Sequence, residues 1–185
     1  MGVGQYELPG GVPLRLFRIS FSGELAYEVN VPADYGPALA DKLLALGADL
    51  GAIPYGLEAL DVMRIEKGHV TAGELDGRTT AADLGMQGLM SSKKDYIGRV
   101  LSQRPGMADP SRPRLVGLKC AGADERIRAG SHLLPTGTRT AIDHDQGWVS
   151  SATWSPTFDQ HIALGFLQNG GNRMGEVVRA VDLVR

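Results

Sequence analysis

The amino-acid sequence predicts an α+β protein: an antiparallel sheet with helices, followed by a small C-terminal β-barrel. Three observations lead there. "LAYEVNV" (Leu25 to Val31) alternates apolar and polar residues strictly, the period-two pattern of a half-buried strand. "PADYGPALADKLLALG" and "GLEALDVMRIEKG" carry helical spacing instead. In the last third, short apolar runs are separated by Gly, Pro, Asn and Asp, as in a compact all-β unit.

"LRLFRISF" (Leu14 to Phe21) reads as a strand with Phe17, Ile19 and Phe21 on one side. The glycine-containing "SGE" joins it to the alternating strand, so the pair is expected to form an antiparallel hairpin. Leu25, Tyr27, Val29 and Val31 then face the core, and Glu28 points away from it.

In the first helix, Tyr35, Leu39, Leu43 and Leu46 make one face, with Asp34 near the start and Gly47 as the stop. The second helix closes with Lys67 and Gly68. Its apolar residues Leu57, Ala59, Leu60, Val62, Met63 and Ile65 cover most of the circumference, which predicts a largely buried helix. Glu58, Asp61 and Arg64 form one charged stripe on it, and Asp61 is a natural ion-pair partner for Arg64.

The stretch "MRIEKGHVTAGELDGRTTAADLG" (Met63 to Gly85) is dense in charge and glycine, yet it matches no metal, phosphate or nucleophile pattern. Either it is a solvated loop, or it lines a pocket for a flat, polar ligand. Further on, "QRPGMADPSRPR" (Gln103 to Arg114) holds three prolines and reads as a linker. Beyond it, "RLVGLKC", "GWVSSATW", "HIALGFLQ" and "EVVRAVDLV" are the expected barrel strands. Two domains follow, residues 1–108 and 109–185, with the boundary near residue 109.

The totals exclude several function classes. A net charge of −2 over 185 residues, with no dense Lys/Arg cluster, gives no electrostatic footprint for nucleic acid. A single cysteine, Cys120, excludes an internal disulfide and a thiolate zinc site, and suits a reducing compartment. The amino terminus lacks a signal-peptide pattern and no apolar run reaches membrane-spanning length, so a cytoplasmic protein is expected. Gly2 and Gly4 form the one G-x-G, with Glu7 where a dinucleotide fingerprint needs its third glycine. No phosphate-cradling loop or G-x-S-x-G occurs, Ser91 and Lys94 lack the partner motifs of an S-x-x-K enzyme, and the four histidines lack ligand spacing. No catalytic residue and no metal ligand is assigned.

Several segments, in order, resemble one family. "RISFSGELAYEVNVP", "MRIEKGHVTAGELDGRTTAADLGM", "KKDYIGR" and "GWVSSATWSPTFDQHIALGFL" are similar to the folate-binding aminomethyltransferases, the T-protein of the glycine cleavage system and its relatives. Within that family "RIEKGH", "AADLG" and "NRMGEVVRAVDLV" are most similar to the carboxy-terminal part of sarcosine oxidase alpha subunits. The resemblance implies the second half of the family's folate-binding unit followed by its barrel. It also implies tetrahydrofolate as the cofactor of this region. In the oxidase branch a heterotetramer oxidises sarcosine to glycine and passes the one-carbon unit to the folate. FAD, FMN and NAD are then expected elsewhere in the complex, and the partners are the other oxidase subunits and the amino-terminal part of the alpha subunit.

On that resemblance Glu28 matches the glutamate that holds the pterin, where a carboxylate accepts from a ring N–H and an amino group side by side. Tyr27 and Tyr35 are expected to stack on or line the pocket, and Arg64 to meet either the folate tail or Asp61. "EALDVMR" departs from the glycine cleavage pattern by placing Leu60 where those relatives carry an arginine, which favours the oxidase branch. The chain is expected to be a fragment that is inactive alone and exposes an apolar face. A transferase of the glycine cleavage type, or a non-catalytic module that docks oxidase subunits, are the alternatives.

Overall fold

The structure is a computed structural model that describes residues 2–184, and it divides into two compact units, Met1–His69 and Val70–Arg185. In the first unit β1 (Gly2–Leu8), β2 (Val12–Arg18) and β3 (Glu28–Asn30) form an antiparallel sheet in that order. The sequence reading found the β2–β3 pairing but not β1, whose two glycines and exposed Val3 and Tyr6 hide the alternation. Both strands are also shorter than expected, because residues 19–27 form a longer, bent connection instead of a tight turn.

The register sets the two faces of this sheet. Leu16 pairs with Gly4 and Val29, whereas Phe17 pairs with Val3 and Glu28. Leu14, Leu16 and Val29 therefore share the inward face with buried Val12, and Phe17 lies on the outward face with Glu28.

Helix α1 (Gly36–Gly47) begins with a proline in its first turn, where a missing N–H costs nothing. Helix α2 (Leu57–Lys67) ends where expected, at Gly68 with φ 74°. There the Gly68 N–H donates to the Ile65 carbonyl (3.0 Å) and the His69 N–H to the Arg64 carbonyl (2.8 Å), a Schellman closure that needs a left-handed residue. Contrary to the expectation of a largely buried helix, only Arg64 and Ile65 of α2 are buried. Its all-round apolar pattern leaves Leu57 exposed, and Leu43, Leu44 and Leu46 of α1 are exposed as well.

The second unit holds a five-stranded antiparallel sheet in the order β4-β7-β6-β5-β8. The strands are β4 (Pro113–Lys119), β5 (His132–Pro135), β6 (Gly147–Ser155), β7 (Gln160–Gln168) and β8 (Val178–Val181). As ordered, β4 and β8 are its edges. Leu133, Val149, Ala163 and Leu167 make its core, and Trp148 stacks on Phe166 at 5.0 Å between ring centroids. The register of β6 against β7 shifts between Val149 and Ser151, a bulge centred on Ser150. The proline-rich segment read as a linker contains a helical turn, Pro105–Ala108, and its Arg112 is tied to the body of this unit.

Candidate functional site

Cross-strand pairing assembles a polar surface on the small sheet. Glu28 sits directly opposite Phe17, and two pairs further along Arg15 lies between Gln5 and Asn30. Directly paired residues share a face, and residues two apart on one strand do too, so all five occupy the outward side. The Glu28 carboxylate is exposed and has no hydrogen-bond or ion-pair partner among the described residues, and the same is true of the Arg15 guanidinium. A hollow of about 240 Å³ has Gln5, Arg15, Asn30, Pro13 and Val31 in its lining.

The other expected site residues fall unevenly around this surface. Tyr27 immediately precedes β3 and is 53% exposed, and Tyr35 ends the helical turn Ala33–Tyr35 that leads into α1, 46% exposed. Arg64 is different. It is 4% exposed, its Nε donates to Asp61 Oδ1 at 2.6 Å and its Nη1 to the His69 carbonyl at 3.4 Å. Of the two partners open to it from sequence, Asp61 is the one it meets here.

Sequence reading missed Arg15, Phe17, Gln5 and Asn30. The strict alternation that set Glu28 outward extends to Asn30, but placing Arg15 and Phe17 beside them requires the register. Register belongs to the paired strands and is not read from the alternation of either strand alone.

Within the charged stretch Met63–Gly85, two carboxylates are buried and fully engaged by the protein itself. Glu74 is 0% exposed: its Oε1 accepts from the Ser150 and Ser151 hydroxyls, both at 2.6 Å, and its Oε2 from the Thr71 N–H at 2.9 Å. The bulge explains how two successive serines reach one oxygen, since a regular strand would point them to opposite faces. Asp83 is 1% exposed and accepts from the Thr80 N–H (2.9 Å) and Arg112 Nη2 (2.7 Å), with Arg114 Nη1 at 3.3 Å. Burial pushes the Asp83 carboxyl up, but the Arg112 guanidinium and the Thr80 donors outweigh it and hold it below the usual aspartate range. Within the second unit, Glu74 ties its loop to β6 and Asp83 ties its loop to Arg112 and Arg114.

In the second unit a hollow of about 520 Å³ has Arg128, Thr153, His161 and Asp182 in its lining. His132 Nδ1 lies 2.7 Å from Asp145 Oδ2 on the strand edge, and burial and the Glu125 carboxylate raise the Cys120 thiol. Among the described residues no cluster of His, Cys, Asp and Glu could hold a metal, and no helix is long and apolar enough to cross a membrane. Gly2 and Gly4 lie inside strand β1 and not at a strand-to-helix turn, so these residues do not fit a flavin or nicotinamide dinucleotide.

Comparison with known proteins places these features in a family. The GCVT N-terminal domain model matches residues 3–94, and the glycine cleavage T-protein C-terminal barrel domain model matches residues 114–181. Sarcosine oxidase subunit alpha of Rhizobium meliloti (strain 1021) is 49% identical over 164 residues, covering 88% of this chain and 17% of that protein. The subunit of the same name from Corynebacterium sp. (strain U-96) is 34% identical over 182 residues, 97% of this chain and 19% of its own. The crystal structure of glycine cleavage system aminomethyltransferase T from Bartonella henselae superposes with a TM-score of 0.77 at 25% identity, covering 98% of this chain and 48% of that one. The chain thus spans less than a fifth of these two oxidase subunits and about half of the transferase.

Proposed function

We propose, because this chain belongs to the glycine cleavage T-protein family, that it is the tetrahydrofolate-binding segment of a sarcosine oxidase alpha subunit. The whole enzyme would oxidise sarcosine to glycine and hand the one-carbon unit to the folate. The observation that carries the folate reading is the unpartnered Glu28 carboxylate on the outward face of the small sheet, with the aromatic Phe17 opposite it. A pterin presents an N–H and an amino group in parallel, which a single carboxylate accepts as a bidentate, charge-assisted pair. When bound, tetrahydrofolate supplies the nitrogens that capture the one-carbon unit. This chain's part is to hold and orient the pterin through Glu28, with Tyr27 and Tyr35 as lining. Arg64 is buried and already holds Asp61 through Nε, so this reading rests no contact on it.

The finer features follow from the same premise. The open sheet of the second unit is taken as the family's barrel module, and the gap between the matches, residues 95–113, supports a module boundary near residue 109. The other oxidase subunits and the remainder of the alpha subunit are the partners, for which the exposed Leu43, Leu46 and Leu57 offer apolar surface. FAD, FMN and NAD belong to those other parts. A cytoplasmic setting suits the lone, unpaired cysteine.

Calorimetric titration with 5-formyltetrahydrofolate tests the reading. Binding should be seen with the wild-type chain and lost in Glu28→Gln; binding unaffected by that substitution would overturn the assignment of Glu28. The likeness to the Bartonella henselae transferase favours a second reading, aminomethyl transfer of the glycine cleavage type, although Leu60 replaces the arginine of that branch. Turnover of an aminomethylated lipoyl protein by the subunit would select it.

A further inference from the structure

The proposed pterin contact uses only one end of a folate, and the ligand's other end carries carboxylates that need a cation. Arg64, the sequence candidate, is buried and engaged with Asp61. Arg15 is the cation that the outward face offers. It stands between Gln5 and Asn30 in register, two residue pairs along from Phe17 and Glu28, and its side chain has no partner among the described residues. Diagonal neighbours across a strand pair lie roughly 7–8 Å apart, so one ligand longer than a pterin spans both positions. Gln5, Arg15 and Asn30 also line the same 240 Å³ hollow. Two amides beside a guanidinium supply N–H donors in several directions, an arrangement suited to a carboxylate and poorly suited to a cation.

We infer that Arg15, flanked by Gln5 and Asn30, is a specificity-determining residue that binds the anionic tail of the ligand whose pterin end Glu28 holds. The inference rests on the folate reading, and it separates the two ends of the ligand between two rows of one sheet. Arg15 decides how much the tail adds to affinity, whereas Glu28 decides whether the ring binds.

The test titrates the full chain with 5-formyltetrahydrofolate and, separately, with a tetrahydropterin lacking the benzoyl-glutamate tail, in wild type, Arg15→Gln and Glu28→Gln. Arg15→Gln should weaken the tailed ligand about tenfold, the size of one charge-assisted contact, and leave the tail-less ligand unchanged. Glu28→Gln should weaken both. Arg15→Lys should restore part of the loss, because the charge returns without the planar fork. Equal affinity of wild type and Arg15→Gln for the tailed ligand, with Glu28→Gln still impaired, overturns the role of Arg15 and leaves the folate reading standing. No binding of either ligand to wild type overturns both.

Discussion

Replacing Glu74 by alanine should destabilise the second unit more than any other single carboxylate removal in the chain outside Asp83. The side chain is fully buried and accepts from Ser150, Ser151 and Thr71, whose N–H and hydroxyl both face Oε2. A hydrogen bond to a charged group contributes about 1.5–3 kcal/mol, but these donors share one carboxylate and their losses do not add. Ser150 also retains the Leu164 carbonyl at 3.1 Å, which softens its loss. The expected cost is about 3–5 kcal/mol, in the range found when one partner of a buried polar cluster is removed. For a chain of this size that lowers the midpoint by about 6–20 °C. Intrinsic fluorescence suits the assay, because both tryptophans, Trp148 and Trp154, lie on β6, the strand that carries the bulge. Glu74→Gln keeps an acceptor oxygen for the serines and should fall between wild type and alanine. Glu176→Ala, which removes an exposed partner of Arg173, is the control and should change stability by no more than about 0.5 kcal/mol. A loss below about 1 kcal/mol for Glu74→Ala would refute the reasoning that this carboxylate anchors the bulge.

Other outcomes follow from the same geometry. The depressed Asp83 carboxyl stabilises the fold fully above the ordinary aspartate value of about 3.9, and that stability is lost as pH falls through its lower folded value. Arg112→Gln leaves Asp83 with Arg114 alone, so acid unfolding followed by circular dichroism should begin at a higher pH than in wild type. Gly147→Ala should prevent the β6–β7 sheet from forming as it stands, since a Cβ there would lie 1.8 Å from the Phe166 carbonyl oxygen, and soluble yield with amide exchange would report it. The exposed Leu43 and Leu46 should drive self-association at high concentration, and the double change to glutamate should shift sedimentation toward the monomer.

Much of the fold was legible because it rests on local chemistry. The helix ends were marked by Gly47 and Gly68, and the position of Gly68 follows from the left-handed closure it alone provides cheaply. Strands β4, β6 and β7 were legible as apolar runs bounded by turn residues. Strand β1 was not, because an edge strand with two glycines and few inward residues carries no alternation. The burial of α2 was misjudged for a different reason. Its apolar pattern states that the helix has something to pack against, but not whether that something lies within these residues.

In the charged stretch from Met63 to Gly85, two of the carboxylates are structural. A carboxylate can be buried only where donors replace its water, and both Glu74 and Asp83 have them: two serines brought together by a bulge in one case, two arginines in the other. Those donors come from residues 29 to 77 positions away, so no local window in the sequence reveals them. Glu28 and Arg15 present the opposite situation. Each stays at the surface on a strand otherwise built for a sheet, with no partner of its own, and register sets them on one face. A carboxylate with all its acceptor positions filled is structural. One that keeps them open beside an aromatic and an unpaired guanidinium is available to a ligand, and that physical distinction is the ground for the proposed site on the small sheet.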